Sequence, residues 1–294
     1  MHLLITDSGV GGLSVCAFIE RHLRTHALDE SFRLTYVNAS PENDFGYNSM
    51  GSRREQLKNF DRFLHIVVDE FAPDEIFVAC NTLSVIMEDT RFCRFADIPI
   101  RGIVEVGVGR LVRDLEARPH SAAMIFGTVT TISAGTYHDM LRAKGISEAR
   151  IVSQACPDLA DVISEDRGGS EAQDLIGLFV RQAVATMETP ASSVLAYLAC
   201  THYGYRKDLF SGAFQEIGVD AEILNPNELV VDDLFGASPA ATLGPGEEKE
   251  IEVEFVTHYR IPDTALETIS FFLRDISPAT VRAFVDYTYA PDLF

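Results

Sequence analysis

The chain has 294 residues, 47% of them hydrophobic, which is enough to bury the cores of two medium domains. Its formal net charge of -20 at pH 7 repels phosphate backbones, so nucleic acid is disfavoured as a partner. The sequence starts without the features of a secretory signal and holds no apolar run long enough to cross a bilayer. We therefore expect a cytoplasmic protein that acts away from membranes.

Cysteine usage argues against a disulfide framework or a zinc finger. The cysteines are odd in number and lack CxxC spacing: Cys16, Cys80, Cys93, Cys156 and Cys200. A chain of this size does not need disulfides to fold. We predict neither disulfides nor a metal site.

The first third of the chain alternates short apolar segments with amphipathic ones. The predicted strands are "HLLIT", "FRLTYVN", "EIFVAC" and "IPIRGIV". Apolar residues at helical spacing predict helices over "LSVCAFIERHLRTH", from Ser52 to Phe71, and from about Val106 to Glu116. Pro73 ends the second of these helices, and "EIFVAC" has the short, continuous apolar pattern of a buried strand.

The same alternation restarts in the second third. The predicted strands are "SAAMIFG", "ARIVSQAC" and "SVLAYLAC", with a turn at "TVTTIS" and helices from about Ala134 to Lys144 and from about Glu171 to Met187. The tail from about Leu209 adds the strand "AEILN", the helix "PNELVVDDLFG", an acidic loop and a final strand-helix-strand set. Such alternation is typical of parallel sheets with helices on both faces.

The two halves of the chain share a plan. In each half an early strand runs into a turn rich in glycine or hydroxyls, "TDSGVGG" or "FGTVTTIS", and a later strand ends at Ala-Cys, "VACNTLS" or "LACTHYG". We predict an α/β protein of two similar doubly wound parallel-sheet lobes. Residues 1–98 and 208–294 form the predicted lobe A, because we expect the tail to pack against the first lobe, and residues 99–207 form lobe B.

Cys80 and Cys200 each follow such a strand. Ligands of parallel α/β sheets bind beyond the carboxyl ends of the strands, where loops meet helix N-termini. A helix N-terminus stabilises a thiolate, so we expect a lowered pKa that lets each cysteine act as a base near neutral pH. A single cysteine at the end of an apolar strand is also typical of an inert core position. The matched surroundings of the two cysteines favour a functional pair.

Two thiols on opposite sides of one carbon suit a single task, which is to remove a proton from one face and return it to the other. The product of that task is the mirror image of the substrate. An enzyme with a nucleophilic thiol needs one cysteine and a histidine, which leaves the second cysteine unexplained. A pyridoxal-dependent racemase is disfavoured because no lysine stands in a marked motif. The lysines are Lys58, Lys144, Lys207 and Lys249.

Six motifs carry a resemblance to a known family. They are "TDSGVGGLSV", "ACNTLS", "FGTVTTIS", "ACPDLADVISEDRGG", "ACTHYG" and "ILNPNELV". In this order they resemble the successive motifs of glutamate racemases, in the wider aspartate/glutamate racemase family. The resemblance implies two α/β lobes with the active site in the cleft between them, and it implies that no cofactor takes part.

The resemblance also implies roles for individual residues. It makes Cys80 and Cys200 the two acid-base residues, with Asp7 as the carboxylate beside the first. It makes His202 and Glu165 the groups that assist the second. Further positions match those that hold the carboxylates and the ammonium group of the amino acid: Ser8, Phe45, Gly46, Asn81, Thr82, Thr128, Thr131 and Thr201. Hydroxyls, amides and backbone N–H groups at helix starts are natural carboxylate receptors.

Structural roles remain open for several of these residues. Asp7 and Ser8 could serve only as turn or cap residues, and the hydroxyls of "TVTTIS" could satisfy turn backbone. Glu165 stands in the polar run "SEDRGG" and could simply be solvated. The order of glycines in "GVGG" differs from G-x-G-x-x-G, so a dinucleotide loop is not predicted.

One segment departs from the family pattern. The family usually has Pro-Tyr-Gly after its second strand, where this chain has Asp44, Phe45 and Gly46, and Ala39 stands where a carboxylate is common. A carboxylate at Asp44 near the pocket would repel the distal acid of a substrate. Phe45 removes a possible hydroxyl contact. The departure bears on the identity of the substrate and leaves the cysteine pair intact.

These observations lead to one main hypothesis and two alternatives. The main hypothesis is a cofactor-independent racemase that interconverts L- and D-glutamate, supplies the D-isomer for the bacterial cell wall, and forms a homodimer. The nearest alternative is a racemase, isomerase or decarboxylase of the same superfamily that acts on aspartate or a non-acidic amino acid. The other is a catalytically silent protein that binds an amino acid.

Overall fold

A computed structural model describes residues 1–28, 30–41, 46–187, 193–236, 241–244 and 246–293. The chain divides into two compact units, of which unit 1 comprises Met1–Ile103 and Asn227–Phe294 and unit 2 comprises Val104–Pro226. The boundaries between the predicted lobes follow residues 98 and 207, whereas the boundaries between the compact units follow Ile103 and Pro226. Each unit is built around its own parallel sheet.

The regular elements follow the predicted alternation of strand and helix. The strands are β1 (His2–Asp7), β2 (Arg33–Asn38), β3 (Glu75–Val78), β4 (Ile100–Gly102), β5 (Ser121–Gly127), β6 (Ile151–Ala155), β7 (Ser193–Ala199), β8 (Ala221–Leu224), β9 (Glu252–Thr257) and β10 (Thr288–Tyr289). The helices are α1 (Leu13–Thr25), α2 (Arg53–Phe71), α3 (Asn81–Met87), α4 (Arg91–Phe95), α5 (Ile103–Ala117), α6 (Val129–Ser133), α7 (Thr136–Ala143), α8 (Leu159–Glu165), α9 (Ser170–Ala185), α10 (Lys207–Glu216), α11 (Pro226–Phe235), α12 (Asp263–Leu273) and α13 (Pro278–Val285). Short 3-10 turns cover Tyr47–Ser49, Glu148–Arg150 and Tyr203–Arg206.

The boundaries of the helices follow local capping chemistry. Helix α2 starts after Ser52, whose hydroxyl accepts a hydrogen bond from the backbone N–H of Glu55 at 3.3 Å. It ends at Ala72, which adopts a left-handed conformation directly before Pro73. The predicted turn at "TVTTIS" instead contains the short helix α6, and Gly135, with φ of 69°, separates it from α7.

The sheet of unit 2 has the same order as four neighbouring strands in the sheet of unit 1, which carries two further strands at one edge. The sheet of unit 1 runs β10-β9-β2-β1-β3-β4 and that of unit 2 runs β6-β5-β7-β8. Neighbouring strands pair in parallel throughout both orders. In each unit the first strand has the second on one side and the third on the other, which is the topological switch point of a doubly wound sheet. The predicted fold class, α/β with two doubly wound parallel sheets, is confirmed.

The tail divides between the two sheets. Strand β8 pairs with β7 in unit 2, with Val194 beside Ala221, and it lies in residues 208–294, the second segment of the predicted lobe A. Strand β9 pairs with β2 in unit 1, and β10 adds to β9 at the edge of the same sheet. The tail therefore contributes β8 to the sheet of unit 2, and β9 and β10 to the sheet of unit 1.

Burial of the central strands explains their continuous apolar sequences. Strand β5 is buried along its whole length, and β7 is buried at every residue after Ser193. In unit 2 the aromatic rings of Phe126, Phe210 and Phe214 pack edge to face within this core. Among the helices that the structure describes, none is long and apolar enough to cross a membrane.

Candidate active site

The switch point of unit 1 brings together residues from two strand ends. Asp7 is the last residue of β1, and Ala79 and Cys80 directly follow β3. The two strands pair in parallel, and the pairing extends past β3 through a 2.8 Å hydrogen bond from the Ala79 N–H to the Thr6 carbonyl. Asp7 and Cys80 therefore lie at the carboxyl ends of adjacent strands.

The Cys80 thiol is buried in a polar setting. Its Sγ lies 3.1 Å from the hydroxyl oxygen of Ser8, the residue after β1. Cys80 is 5% exposed and Asp7 is 1% exposed, so both groups lie inside unit 1. No local pattern in the sequence could predict this contact, because Ser8 and Cys80 follow two different strands.

The pKa of Cys80 differs from the sequence-based expectation. Burial raises the pKa of this thiol to about 12, and the negative charge of Asp7 raises it further. Hydrogen bonds from Ser8 and from the backbone N–H of Leu83 lower it, but they do not offset burial. The expectation of a lowered pKa is therefore wrong for Cys80 in the ligand-free protein. Its thiol is protonated at neutral pH, because desolvation raises the pKa by more than the N-terminus of α3 lowers it.

The remaining candidates in unit 1 lie at the start of α3 and before the first 3-10 turn. Asn81 and Thr82 are the first residues of α3 and are buried. Gly46 precedes the 3-10 turn at Tyr47–Ser49. Phe45 lies outside the described residues, as does Asp44, so the departure from Pro-Tyr-Gly has no structural description.

Gly12, to which the sequence motifs gave no role, leaves space for the side chain of Asp7. Gly12 lies so close to this carboxylate that a Cβ added at Gly12 would be 2.8 Å from the Asp7 Cβ and 2.8 Å from its Oδ2. The motif "DSGVGG" therefore needs a glycine at this position for steric reasons. The signal was present in the motif, but only the position of α1 beside β1 reveals its cause.

Unit 2 repeats this arrangement with other side chains. Cys200 directly follows β7, whose last residue, Ala199, pairs with Gly127 at the end of β5. Thr128 caps α6 by accepting a hydrogen bond from the Thr131 N–H at 3.2 Å, and its hydroxyl donates to the Thr131 hydroxyl at 3.1 Å. Both threonines are buried. The hydroxyls of "TVTTIS" thus satisfy a helix start at the same sheet edge as Cys200.

His202 is the polar neighbour of the second thiol. Its Nδ1 lies 3.9 Å from the Sγ of Cys200, and Cys200 is 7% exposed. Desolvation lowers the pKa of His202 to about 4, so its imidazole is neutral at neutral pH. A neutral imidazole can accept or donate a proton, depending on its tautomer. Thr201, between the two residues, is buried.

Glu165 differs from the other candidates. It is the last residue of α8, and its side chain is exposed. Its charge contributes to raising the pKa of Asp161, after burial and after the charge of Asp158. Its role beside Cys200 remains a prediction.

Within the described part of the chain, no group of His, Cys, Asp and Glu side chains could hold a metal ion.

Comparison with known proteins finds glutamate racemases among the relatives of this chain. No family model matches the chain. The glutamate racemase of Persephonella marina is 26% identical over 222 residues, covering 74% of this chain and 77% of that protein. The glutamate racemase of Pseudomonas entomophila is 27% identical over 251 residues, covering 83% and 85%. The predicted resemblance to glutamate racemases is confirmed.

Solved glutamate racemases share the fold. The enzyme of Campylobacter jejuni subsp. jejuni superposes with a TM-score of 0.71 at 19% identity, covering 93% of this chain and 98% of that one. The glutamate racemase of Francisella tularensis, solved in complex with D-glutamate, superposes with a TM-score of 0.69 at 20% identity, covering 94% of each chain. The fold of these solved glutamate racemases therefore covers more than nine-tenths of this chain.

Proposed function

We propose that the chain is a cofactor-independent racemase that interconverts L- and D-glutamate, with Cys80 and Cys200 as its two acid-base residues. One observation carries the proposal. Each unit has a buried thiol at its topological switch point, just after its third strand, which pairs with the first. Cys80 follows β3, which pairs with β1, and Cys200 follows β7, which pairs with β5. The glutamate racemase relatives support the same activity.

Racemisation moves protons and leaves the oxidation state of the substrate unchanged. One thiolate takes the α-proton, so the C–H bond breaks, an S–H bond forms, and the electron pair stays on carbon. The other thiol donates its proton to the opposite face, which forms a new C–H bond and leaves a thiolate. The cysteines exchange roles in the reverse direction. Each cysteine must therefore start as a thiol in one direction of the reaction and as a thiolate in the other.

The raised pKa of Cys80 suits this chemistry. An α-proton is weakly acidic, so a thiolate of high pKa is a better match for it than an ordinary thiolate once it has formed. The ammonium group of a bound amino acid brings a positive charge that favours the thiolate and offsets the charge of Asp7. Cys80 is therefore expected to ionise when substrate binds, and to stay protonated and unreactive without it.

The other candidate residues supply substrate contacts and assist proton transfer. Hydroxyls, amides and backbone N–H groups hold the carboxylates and the ammonium group, and they come from Ser8, Gly46, Asn81, Thr82, Thr128, Thr131 and Thr201. Neutral His202 exchanges a proton with Cys200, and Glu165 assists it. Charge that develops on the substrate in a dry site is stabilised by these fixed dipoles, which lowers the barrier.

Glutamate is the proposed substrate because the curated relatives are glutamate racemases and one solved relative contains D-glutamate. In a bacterial cell the D-isomer would supply cell-wall synthesis in the cytoplasm.

A homodimer is proposed as the working form. Size-exclusion chromatography with light scattering tests it, and a monomer at assay concentration would contradict this part of the proposal.

Proton exchange tests the reaction directly. The protein is incubated with L-glutamate in heavy water, and the α-proton signal and the optical rotation are followed together. Entry of deuterium at the α-carbon with loss of rotation supports the proposal. Saturable binding without exchange would show a silent binding protein. Parallel incubations with L-aspartate and L-alanine test the substrate, because turnover of one of these and not of glutamate contradicts only the choice of glutamate.

A further inference from the structure

The hydroxyl of Tyr47 is a buried polar group that none of the described residues satisfies. Tyr47 is 1% exposed, and its Oη has no hydrogen-bond partner among the residues that the structure describes. A buried hydroxyl without a partner is rare in native proteins, because the loss of hydration is not repaid. The position of this group therefore needs an explanation beyond packing.

The tyrosine is held in place from both ends. Its backbone carbonyl accepts a 2.7 Å hydrogen bond from the side-chain amide of Gln56 on α2. Its ring packs edge to face on Phe60, with 6.2 Å between the ring centroids. With the backbone and the ring both anchored to α2, the hydroxyl cannot readily turn to solvent, so its direction is set by the fold.

The Tyr47 hydroxyl lies within the electrostatic reach of the Cys80 thiol, in the same unit. It lies near enough to Cys80 for a charge on that sulfur to raise the pKa of Tyr47, although burial is the larger cause. The two groups do not bond to each other, since Cys80 instead contacts the hydroxyl of Ser8. A neutral phenol that remains protonated is a hydrogen-bond donor suited to an anionic acceptor.

We propose that the Tyr47 hydroxyl donates a hydrogen bond to a carboxylate of the amino acid bound beside Cys80, and that it is a substrate-binding residue of this chain. The inference rests on the proposed function, which puts an amino acid against Cys80. The resemblance assigned no role to Tyr47, and Phe45 lacks a hydroxyl. Tyr47 supplies a donor close by in the chain, in the turn that follows Gly46.

The test compares Tyr47→Phe with the wild type in ligand binding and in stability. Titration calorimetry with D-glutamate and L-glutamate measures affinity, and we expect a rise in Kd of about ten- to hundredfold, as for loss of a hydrogen bond to a charged group. KM is expected to rise more than kcat falls. Without ligand, the melting temperature of Tyr47→Phe should equal or exceed that of the wild type, because the variant removes a hydroxyl that the free protein does not satisfy.

Tyr137→Phe provides the matched control. The Tyr137 hydroxyl is buried in unit 2 and donates to the Tyr197 hydroxyl at 3.3 Å. Its removal should lower the melting temperature and leave the Kd for glutamate unchanged. The opposite responses of the two variants separate a ligand contact from a packing effect.

The outcomes distinguish the inference from the function on which it rests. A wild-type protein that binds no amino acid contradicts the proposed function and this inference together. A wild-type protein that binds glutamate with the same Kd as Tyr47→Phe overturns the inference alone, as does a loss of stability in ligand-free Tyr47→Phe that matches that of Tyr137→Phe. Alanine, which lacks the distal carboxylate, locates the contact. Weakened binding of alanine assigns the α-carboxylate, and weakened binding of glutamate alone assigns the distal one.

Discussion

Cys80 and Cys200 occupy matching positions in the two units but have different polar neighbours. Cys80 lies beside a carboxylate, Asp7, and contacts the Ser8 hydroxyl, whereas Cys200 lies 3.9 Å from the imidazole of His202. A negative neighbour favours the protonated thiol, and a neutral imidazole can take up the proton. The two thiols therefore have chemically different surroundings, although they occupy matching positions in the two sheets.

Replacement of either thiol tests the pair at the residue scale. Cys80→Ser and Cys200→Ser should each lower kcat for racemisation by about 10²- to 10⁴-fold, because a serine hydroxyl is a far weaker acid than a thiol. Polarimetry with L- and D-glutamate measures the loss in both directions. Cys93→Ser is the control, since Cys93 lies in α4 and is only half-buried, and it should keep full activity. Full activity in either site variant would rule out the two-base mechanism.

The two sheets place their chemistry at the same point because four neighbouring strands have the same order in both. In each unit the second strand lies on one side of the first strand, and the third strand lies on its other side. The loops after the first and third strands are therefore neighbours at the same edge of the sheet. Helices must then pack closely on these strands. In unit 2, a Cβ added to Gly107 of α5 would lie 1.8 Å from the hydroxyl of Tyr197 on β7.

This close approach predicts a sharp difference between two glycines of one helix. Gly107→Ala should lower the free energy of unfolding by about 1–3 kcal/mol, since the buried Tyr197 has to shift. Gly109→Ala, where the added Cβ meets nothing within 4 Å, should leave it unchanged or raise it by up to about 1 kcal/mol through helix propensity. Urea denaturation measures both. Equal effects would show that α5 does not pack on Tyr197 as described.

At the scale of the whole molecule, buried titratable groups link stability to pH. Burial raises the pKa of Cys16 and of Cys80 from 9.0 to about 12. Between these values the unfolded chain loses protons that the folded chain keeps. At the acid end, desolvation lowers the pKa of His202 from 6.5 to about 4, so there the unfolded chain takes up a proton that the folded chain does not.

The sign of each shift sets the expected pH profile. The stability that the thiols provide is complete below pH 9.0 and is lost as the pH rises to about 12. The stability linked to His202 is complete above pH 6.5 and is lost as the pH falls to about 4. Urea denaturation across both ranges measures the profile. Cys16→Ala should reduce the alkaline slope by about 1.4 kcal/mol per pH unit, and an unchanged slope would contradict the assignment.

The sequence by itself determined the alternation of strands and helices, the parallel α/β class, and the placement of Cys80 and Cys200 directly after buried strands. These features depend on local apolar patterns and on capping residues such as Ser52, which act over a few positions of the chain. The motif order was enough to indicate glutamate racemases, because each motif is itself a short local segment.

Only the tertiary structure decided which strands pair and what surrounds each functional group. Four features depend on groups that the fold brings together from distant parts of the chain. They are the pairing of β8 with β7, the raised pKa of Cys80, the space that Gly12 leaves for Asp7, and the buried Tyr47 hydroxyl that no described residue satisfies. Burial and Coulomb interactions act through space, so their outcome depends on the complete packing of a unit. A motif specifies the chemical groups, and the fold sets the free energy at which they ionise and bind.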